Sequence, residues 1–237
     1  MKKIFIAAIV LVMFCQAKAQ VFEQDFNQST NIKDYVNKKA PNNNQFNFAE
    51  ADGEGKVNIS KTKLRLSKIG PGGRPFIIRN TPLKIPSQFL SFSFKIDVAA
   101  QGDATAFLAL GSGFNNEALP DSVHKNTVRL LFKLLPDGFI IRNTNQGQDG
   151  PNKYTGEQEI HWFLNRSGQA KTYMAPDGTE QTVAADRWDL WVGKTKEFDE
   201  AGFTNVKQPI ANFKFSFLSS LGDILLDDIV IKDLISK

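Results

Sequence analysis

The stretch Leu90-Ser91-Phe92-Ser93-Phe94-Lys95-Ile96-Asp97-Val98 places an apolar side chain at every second position. Successive side chains of a β-strand point to opposite faces of a sheet, so this pattern predicts a strand with one buried and one solvated face. Residues 63–66, 128–134 and 213–217 alternate in the same way. Half-solvated strands are typical of antiparallel sheets and argue against a parallel α/β fold, whose strands are buried on both faces.

Turn-forming residues separate these strands. Gly70-Pro71-Gly72-Gly73, Pro136-Asp137-Gly138 and Pro176-Asp177-Gly178 each lie between two strand-like runs, and these residue types favour the backbone angles of tight turns. No stretch carries a sustained helical pattern, and the 20 phenylalanines suffice for a thick apolar layer between two sheets. We therefore predict an all-β fold, an antiparallel two-sheet β-sandwich of the jelly-roll type, with residues 20–237 forming a single domain.

The first residues predict export. Met1-Lys2-Lys3 is basic, residues 4–14 are apolar and Ala17-Lys18-Ala19 is a small-x-small cleavage site, the three parts of a secretory signal peptide. We expect a signal peptide at residues 1–19, cleaved before Gln20, and a protein that is secreted or periplasmic, with association to the cell surface left open. A lipoprotein anchor on Cys15 is the alternative, and Phe14 argues against it because lipoprotein signals carry a small residue at that position.

Removal of residues 1–19 changes what the composition permits. It removes Cys15, the only cysteine of the chain, and so excludes disulfides, cysteine-ligated metals and cysteine nucleophiles from the mature protein. It also removes three lysines and no acidic residue, which leaves a nearly neutral mature chain. No later segment is long and apolar enough to span a membrane.

The remaining charge is unevenly distributed, with nine basic residues and no acidic residue between Gly55 and Ile96. If these bases share a solvent face, they would attract an anionic polymer such as an acidic polysaccharide. Alternatively, they pair with acidic residues on neighbouring strands, which is an ordinary way of stabilising a sheet. Nucleic acid is not a predicted partner, because no nucleic-acid-binding motif is present. The nine are Lys56, Lys61, Lys63, Arg65, Lys68, Arg74, Arg79, Lys84 and Lys95.

The hexapeptide Phe-Ile-Ile-Arg-Asn-Thr occurs twice, at 76–81 and at 139–144. It indicates either a duplicated β-unit or two strands that converged on strand-forming residues. We favour convergence, because repeat architectures need about three copies.

The order of these signals resembles the concanavalin A-like (laminin G-like) jelly-roll domains of secreted bacterial proteins. The resemblance is carried by residues 22–26 (FEQDF), 160–165 (IHWFLN), 173–178 (YMAPDG) and 225–231 (LLDDIVI). It implies two stacked antiparallel sheets, one of which often holds carbohydrate. Lectins, carbohydrate-binding modules, polysaccharide lyases, glycosidases and adhesins share this fold, so the fold does not choose among them.

Aromatic residues supply the candidate sugar-binding site. Trp162, Trp188 and Tyr173 are close in sequence, and sugar rings stack on flat aromatic faces while a few polar groups fix their orientation. We predict that these three stack on a glycan and that Arg142 and Asn165 anchor it. The alternative is that the tryptophans belong to the core, as is common in sandwiches.

The resemblance also implies an enzymatic alternative. In jelly-roll polysaccharide lyases a Tyr/His pair moves the proton while a basic or amide side chain neutralises the uronate carboxylate, which here would assign His161 and Tyr173 to catalysis and Arg142 or Asn165 to the carboxylate. A packed, hydrogen-bonded histidine is the other interpretation of His161. A glycosidase is disfavoured, because the expected pair of carboxylates on one strand is incomplete.

Acidic residues near the two ends of the domain predict a cation. In many jelly rolls the first and last strands are neighbours, and the resemblance implies that Asp25 and Asp228 hold a structural calcium ion, which takes about 6–8 oxygen ligands. A salt bridge to a lysine is the alternative for Asp228. No organic cofactor is expected.

We therefore predict a secreted carbohydrate-binding or adhesion module that recognises a polysaccharide, with an acidic one favoured if the basic stretch takes part. The first alternative is a lyase acting on a uronate-containing glycan. The second is a non-catalytic envelope or matrix protein, in which the aromatic residues would be buried. The sequence makes no prediction of oligomeric state.

Overall fold

The computed structural model describes residues 18–234, with side chains from Gln20 onward. The predicted signal peptide lies outside the described residues except for Lys18 and Ala19. One turn of 3-10 helix, Ile32–Tyr35, accompanies 17 strands. The strands are β1 Lys18–Gln24, β2 Phe48–Asp52, β3 Gly55–Ser60, β4 Lys63–Lys68, β5 Arg74–Arg79, β6 Phe89–Ala100, β7 Ala104–Gly111, β8 Asn126–Leu135, β9 Gly138–Asn143, β10 Gln148–Tyr154, β11 Gln158–Asn165, β12 Lys171–Met174, β13 Glu180–Val183, β14 Arg187–Val192, β15 Thr195–Gly202, β16 Asn212–Ser219 and β17 Gly222–Leu234.

Two large antiparallel sheets form the sandwich. The front sheet has eight strands in the order β15-β14-β11-β6-β17-β4-β3, with β1 also paired to β17. The back sheet has seven strands in the order β10-β9-β8-β7-β16-β5-β2. Strands β12 and β13 form a separate hairpin. The predicted all-β, two-sheet sandwich is therefore confirmed.

Strand β6 shows why these residues form this fold. Phe92 and Phe94 are buried between the sheets, while Ser91 and Ser93 are partly exposed on the outer face of the front sheet. The ring of Phe92 lies 5.4 Å from that of Phe213 on the back sheet, in an edge-to-face arrangement. Aromatic rings that meet edge-to-face across the layer stabilise the two sheets against each other.

Strand β16 departs from the predicted pattern of one wet face. Lys214 and Ser216 alternate with phenylalanines, yet both are fully buried. The loop 112–125 lies over them, where Ser216 donates a hydrogen bond to the carbonyl of Ala118 and Lys214 contacts Asp121. Strand β16 is central in its sheet, so the loop converts its outer face into a second buried layer.

The predicted turns fall between strands, but they do not all join hairpins. Pro136-Asp137-Gly138 connects the paired strands β8 and β9, and Pro176-Asp177-Gly178 connects β12 and β13. Residues 70–73 instead carry the chain from β4 in the front sheet to β5 in the back sheet. Among residues 18–234, no helix has the length and apolar character that crossing a membrane requires.

Candidate functional site

The β12–β13 hairpin folds over the outer face of the front sheet. Tyr173 points down from it and stacks on Phe163 of β11, with ring centroids 3.9 Å apart and planes inclined by 22°. They belong to a small buried apolar cluster under the hairpin, whose other members are Phe89, Ala175, Val183, Trp191 and Leu234. Met174, next to Tyr173 in β12, points the other way and is 55% exposed.

Buried polar groups fasten the hairpin to the sheet. The Tyr173 hydroxyl donates to the carboxylate of the fully buried Asp189 and accepts a 3.0 Å hydrogen bond from the indole nitrogen of Trp191. Burial and the neighbouring Asp189 carboxylate raise the pKa of Tyr173, so its hydroxyl stays protonated. The Asn165 amide donates to the carbonyls of Val183 and Ala184 at 3.0 and 2.9 Å.

A groove with a volume of about 430 Å³ runs beside the hairpin on this outer face. Three front-sheet strands supply its polar residues, the end of β1 supplies two carboxylates, and the hairpin supplies an apolar wall. The lining residues are Glu23, Asp25, Ser91, Ser93, Glu159, His161, Phe163, Met174, Ala175, Pro176, Asp228, Val230 and Lys232. We refer to this depression as the groove.

Charged side chains in the groove are partly paired. The Nε2 atom of His161 lies 3.1 Å from an oxygen of Glu159, and Lys95 lies 2.6 Å from the carboxylate of Asp228. Burial lowers the pKa of His161 below its usual value of 6.5, and the Glu159 carboxylate opposes this shift. His161 is therefore neutral at pH 7, and acidic groups outnumber basic ones along the groove.

A second polar depression of about 660 Å³ adjoins the groove at Glu23 and Asp25, which line both. Its other lining residues are amides: Gln20, Gln24, Gln28, Asn42, Asn43 and Asn44. Within the described part of the chain, neither Glu23 nor Asp25 forms a salt bridge. The two depressions together offer a long surface of carboxylates, amides and hydroxyls.

The predicted stacking tryptophans are not on this surface. Trp162 and Trp188 have no exposed area and meet edge-to-face in the main core, 5.5 Å apart. Their prediction as sugar-stacking residues is corrected, because the inward face of β11 and β14 is the one that packs against the back sheet. The alternative of core tryptophans holds for both.

The other predicted contacts are also elsewhere. Tyr173 is 3% exposed and Asn165 has no exposed area, so both hold the hairpin and neither reaches a ligand. Arg142 lies on β9 of the back sheet, 3.2 Å from Asp149, and does not line the groove. The carbohydrate-binding roles assigned to Tyr173 and Asn165 are therefore corrected, whereas that of Arg142 stays a prediction away from the groove.

Of the predicted catalytic pair, only His161 lines the groove. The Tyr173 hydroxyl is buried beneath the hairpin and already occupied by Asp189 and Trp191. A Tyr/His elimination needs both groups within reach of the same sugar, one to take the proton from carbon and the other to protonate the leaving oxygen. His161 and Tyr173 cannot act on one sugar in this arrangement, because only His161 faces the groove.

Asp25 and Asp228 do come together along the groove. A β-bulge between Asp227 and Val230 turns Asp228 outward, with φ at +47°, so that it no longer shares a face with the inward Leu226. Its carboxylate pairs with Lys95, and Asp25 accepts a 3.2 Å bond from the backbone of Asn27. Among residues 18–234, no group of three or more histidine, cysteine or acidic side chains is placed to hold a metal ion. Calcium binding by Asp25 and Asp228 stays a prediction.

The basic stretch is dispersed and largely paired. Lys63 contacts Glu157, and Arg65 binds Asp223 through two hydrogen bonds of 2.9 and 2.7 Å. Lys68 and Arg79 are buried and donate to backbone carbonyls. Pairing with acidic residues therefore accounts for three of the nine bases, Lys63, Arg65 and Lys95, and burial against backbone carbonyls accounts for Lys68 and Arg79.

Sequence reasoning missed most of the groove. Glu159, Ser91, Ser93 and Lys232 are ordinary outward positions of alternating strands, and only strand order brings them together. Met174 belongs to the segment 173–178 that carries the resemblance, but nothing in the sequence indicates that the hairpin folds back over the sheet. An outward polar face shared by three strands is the one signal that could have located the site.

The fold is shared with known structures. The chain is similar to a carbohydrate esterase from the Shiga toxin-encoding bacteriophage phi24B, with 9% identity, 92% of this chain and 100% of that chain covered, and a TM-score of 0.55. It is similar to the carbohydrate recognition domain of Emp46p, with 9% identity, 77% and 87% covered, and a TM-score of 0.52. It is also similar to a protein of unknown function with a galectin-like fold from Bacillus subtilis, with 8% identity, 92% of this chain and 98% of that chain covered, and a TM-score of 0.50.

These likenesses confirm the predicted jelly-roll fold. At such low identity they show a shared fold alone. No protein-family model matches the sequence, and no curated protein matches it significantly.

Proposed function

We propose that the protein binds a glycan in the groove and does not act on it chemically. The observation that carries the proposal is the combination of an open depression, a polar floor and an apolar wall. Carboxylates, serines and His161 offer acceptors and donors for sugar hydroxyls, while Met174 and Pro176 offer an apolar surface for the C–H face of a sugar ring.

The fold supports this proposal at a general level. Two of the similar structures are named for carbohydrate, one as an esterase and one as a recognition domain. The adjoining depression lined by amides lengthens the surface, which suits a chain of several sugars better than a single ring.

The charges along the groove bear on which glycan is bound. The lining contains four acidic residues, Glu23, Asp25, Glu159 and Asp228, and one lysine, Lys232. Lys95 forms a salt bridge with Asp228. An acidic polysaccharide would meet net repulsion here. We therefore propose an uncharged polysaccharide as the ligand and treat uronate polymers as the comparison.

The test is titration of neutral and uronate oligosaccharides into the protein at low and moderate salt. We expect neutral oligosaccharides to bind, and uronate oligosaccharides to bind more weakly and to improve as salt screens the carboxylates. If uronate oligosaccharides bind more tightly than neutral ones, and salt weakens their binding, the prediction of an acidic polysaccharide is supported instead. If none of the oligosaccharides binds, the proposed function is wrong and the role of a non-catalytic envelope or matrix protein remains.

A steric variant locates the site. Ser93→Tyr places a large side chain on the groove floor, and Ser122→Tyr makes the same change on the exposed loop over the back sheet. We expect Ser93→Tyr to bind the oligosaccharide at least about tenfold more weakly than the wild type, and Ser122→Tyr to bind it as the wild type does. The two variants should have equal melting temperatures. Unchanged affinity of Ser93→Tyr would exclude the groove.

We also propose that residues 1–19 direct export. In the structure the backbones of Lys18 and Ala19 pair with Leu234 and Asp233 at the start of β1, so cleavage before Gln20 removes two positions of that pairing. N-terminal sequencing of the exported protein tests this. A protein that retains Lys18 and Ala19 would contradict the cleavage site.

A further inference from the structure

Met174 is the only sulfur-containing residue in residues 20–237, because the other two methionines and the cysteine are Met1, Met13 and Cys15. It is also 55% exposed, and it forms part of the groove wall. Among the residues whose side chains the structure describes, four other large apolar residues are exposed, and none of them lines the groove: Ile69, Leu119, Val123 and Val206. The single sulfur atom of this part of the chain is thus placed at the proposed binding surface.

The surroundings hold Met174 in place without covering it. Its neighbour Tyr173 anchors β12 through Asp189, and the following turn is closed by a 2.8 Å bond from the amide of Ala175 to the carbonyl of Thr179. Met174 therefore projects from a fixed backbone. A chemical change at its thioether alters the groove wall, while the buried side of the hairpin remains packed.

Methionine thioethers are oxidised by peroxides to sulfoxides, which converts a flexible apolar side chain into a polar one. The sulfur forms a bond to one peroxide oxygen, the O–O bond breaks, and water leaves; the sulfur is oxidised and the peroxide is reduced. Exposure governs how readily this occurs, and the competing cysteine thiol lies in the predicted signal peptide.

We propose that Met174 is an oxidation site whose sulfoxide weakens glycan binding at the groove. This coupling rests on the proposed function, because it requires a sugar to pack on the apolar wall. A sulfoxide oxygen on that wall must be desolvated when the sugar binds, and the apolar contact is lost. We expect about fivefold weaker binding, which corresponds to the loss of about one buried methylene or slightly more.

The experiment treats the folded protein with hydrogen peroxide and maps its peptides by mass spectrometry, before and after unfolding in urea. We expect one added oxygen on the peptide that contains Met174, at a similar rate in both states. Affinity for the neutral oligosaccharide should fall and should recover after treatment with methionine sulfoxide reductases. Met174→Leu has no thioether, so peroxide should not change its affinity, whatever that affinity is before treatment. Met174→Gln carries a polar group in place of the thioether and should bind weakly without peroxide.

The outcomes separate the two proposals. Protection of Met174 in the folded protein overturns the oxidation site. Oxidation with unchanged affinity overturns the coupling and leaves glycan binding intact. Absence of glycan binding by the untreated protein overturns the proposed function, and the coupling with it.

Discussion

Arg79 and Arg142 occupy the same position in the two copies of the hexapeptide, yet they lie on opposite faces of the back sheet. Arg79 points inward, where its guanidinium lies 5.9 Å from the ring of Phe22 and donates to the carbonyls of Pro41, Asn42 and Gln45. Arg142 points outward to Asp149. A shift of one residue along a strand exchanges its two faces, so the copies are not equivalent units.

This difference predicts two unequal substitutions. Arg79→Ala removes a buried guanidinium that donates to the carbonyls of Pro41, Asn42, Gln45 and Thr81, and we expect it to lower the free energy of unfolding by about 2–4 kcal/mol. Arg142→Ala breaks an exposed pair and should leave stability nearly unchanged. Urea unfolding of both variants measures the difference, and equal effects would contradict the assignment of faces.

The loop 112–125 predicts a second stability effect. Lys214 and Asp121 are both buried side chains in direct contact, and burial lowers the pKa of Lys214 while the Asp121 carboxylate opposes this. Removing one partner leaves a buried charge, so Lys214→Met should cost about 3–5 kcal/mol. The double variant Lys214→Met/Asp121→Asn should recover part of that loss, because neither charge remains.

Lys133→Met is the matched control, since Lys133 pairs with Asp149 on the exposed outer face of the same sheet. It should have little effect in the same urea titration. If Lys214→Met lowers the free energy of unfolding by as little as the control does, the loop does not bury the Lys214–Asp121 pair.

The strands and the sandwich follow from the sequence, because alternation is local information. Alternation does show that His161 and Trp162 point to opposite faces, but it does not show which face meets the other sheet. That choice depends on strand order, which places the indole of Trp162 in the core and His161 in the groove. The bulge at Asp228 and the burial of Lys214 depend on contacts with distant segments in the same way.

His161 predicts a pH dependence. Burial lowers its pKa in the folded protein, whereas the unfolded chain has the ordinary value of 6.5. Below about pH 6.5 the unfolded state therefore binds more protons, so the free energy of unfolding falls as the pH falls, by at most about 1.4 kcal/mol per pH unit. Above that pH the imidazole is neutral in both states and contributes nothing.

The groups that face His161 are Glu159 and Lys232, and both are retained in His161→Gln. The difference in the free energy of unfolding between wild type and this variant, measured across pH 4.5–8, isolates the contribution of the histidine. We expect that difference to shrink or reverse only on the acidic side of about pH 6.5. Titration of the imidazole by NMR gives its pKa directly. A pKa above 6.5 would show that Glu159 outweighs burial.

The last prediction concerns calcium, which the resemblance implies at Asp25 and Asp228. The carboxylate of Asp228 is neutralised by Lys95 at 2.6 Å, and Asp25 alone cannot supply the several oxygen ligands that calcium takes. An ion bound only to the folded state would raise the melting temperature. We therefore expect equal melting temperatures in chelator and in millimolar calcium for the wild type. A melting temperature that falls in chelator and recovers with calcium would show that Asp25 and Asp228 gather further oxygen ligands when the ion is present, and Asp228→Asn should then abolish the response.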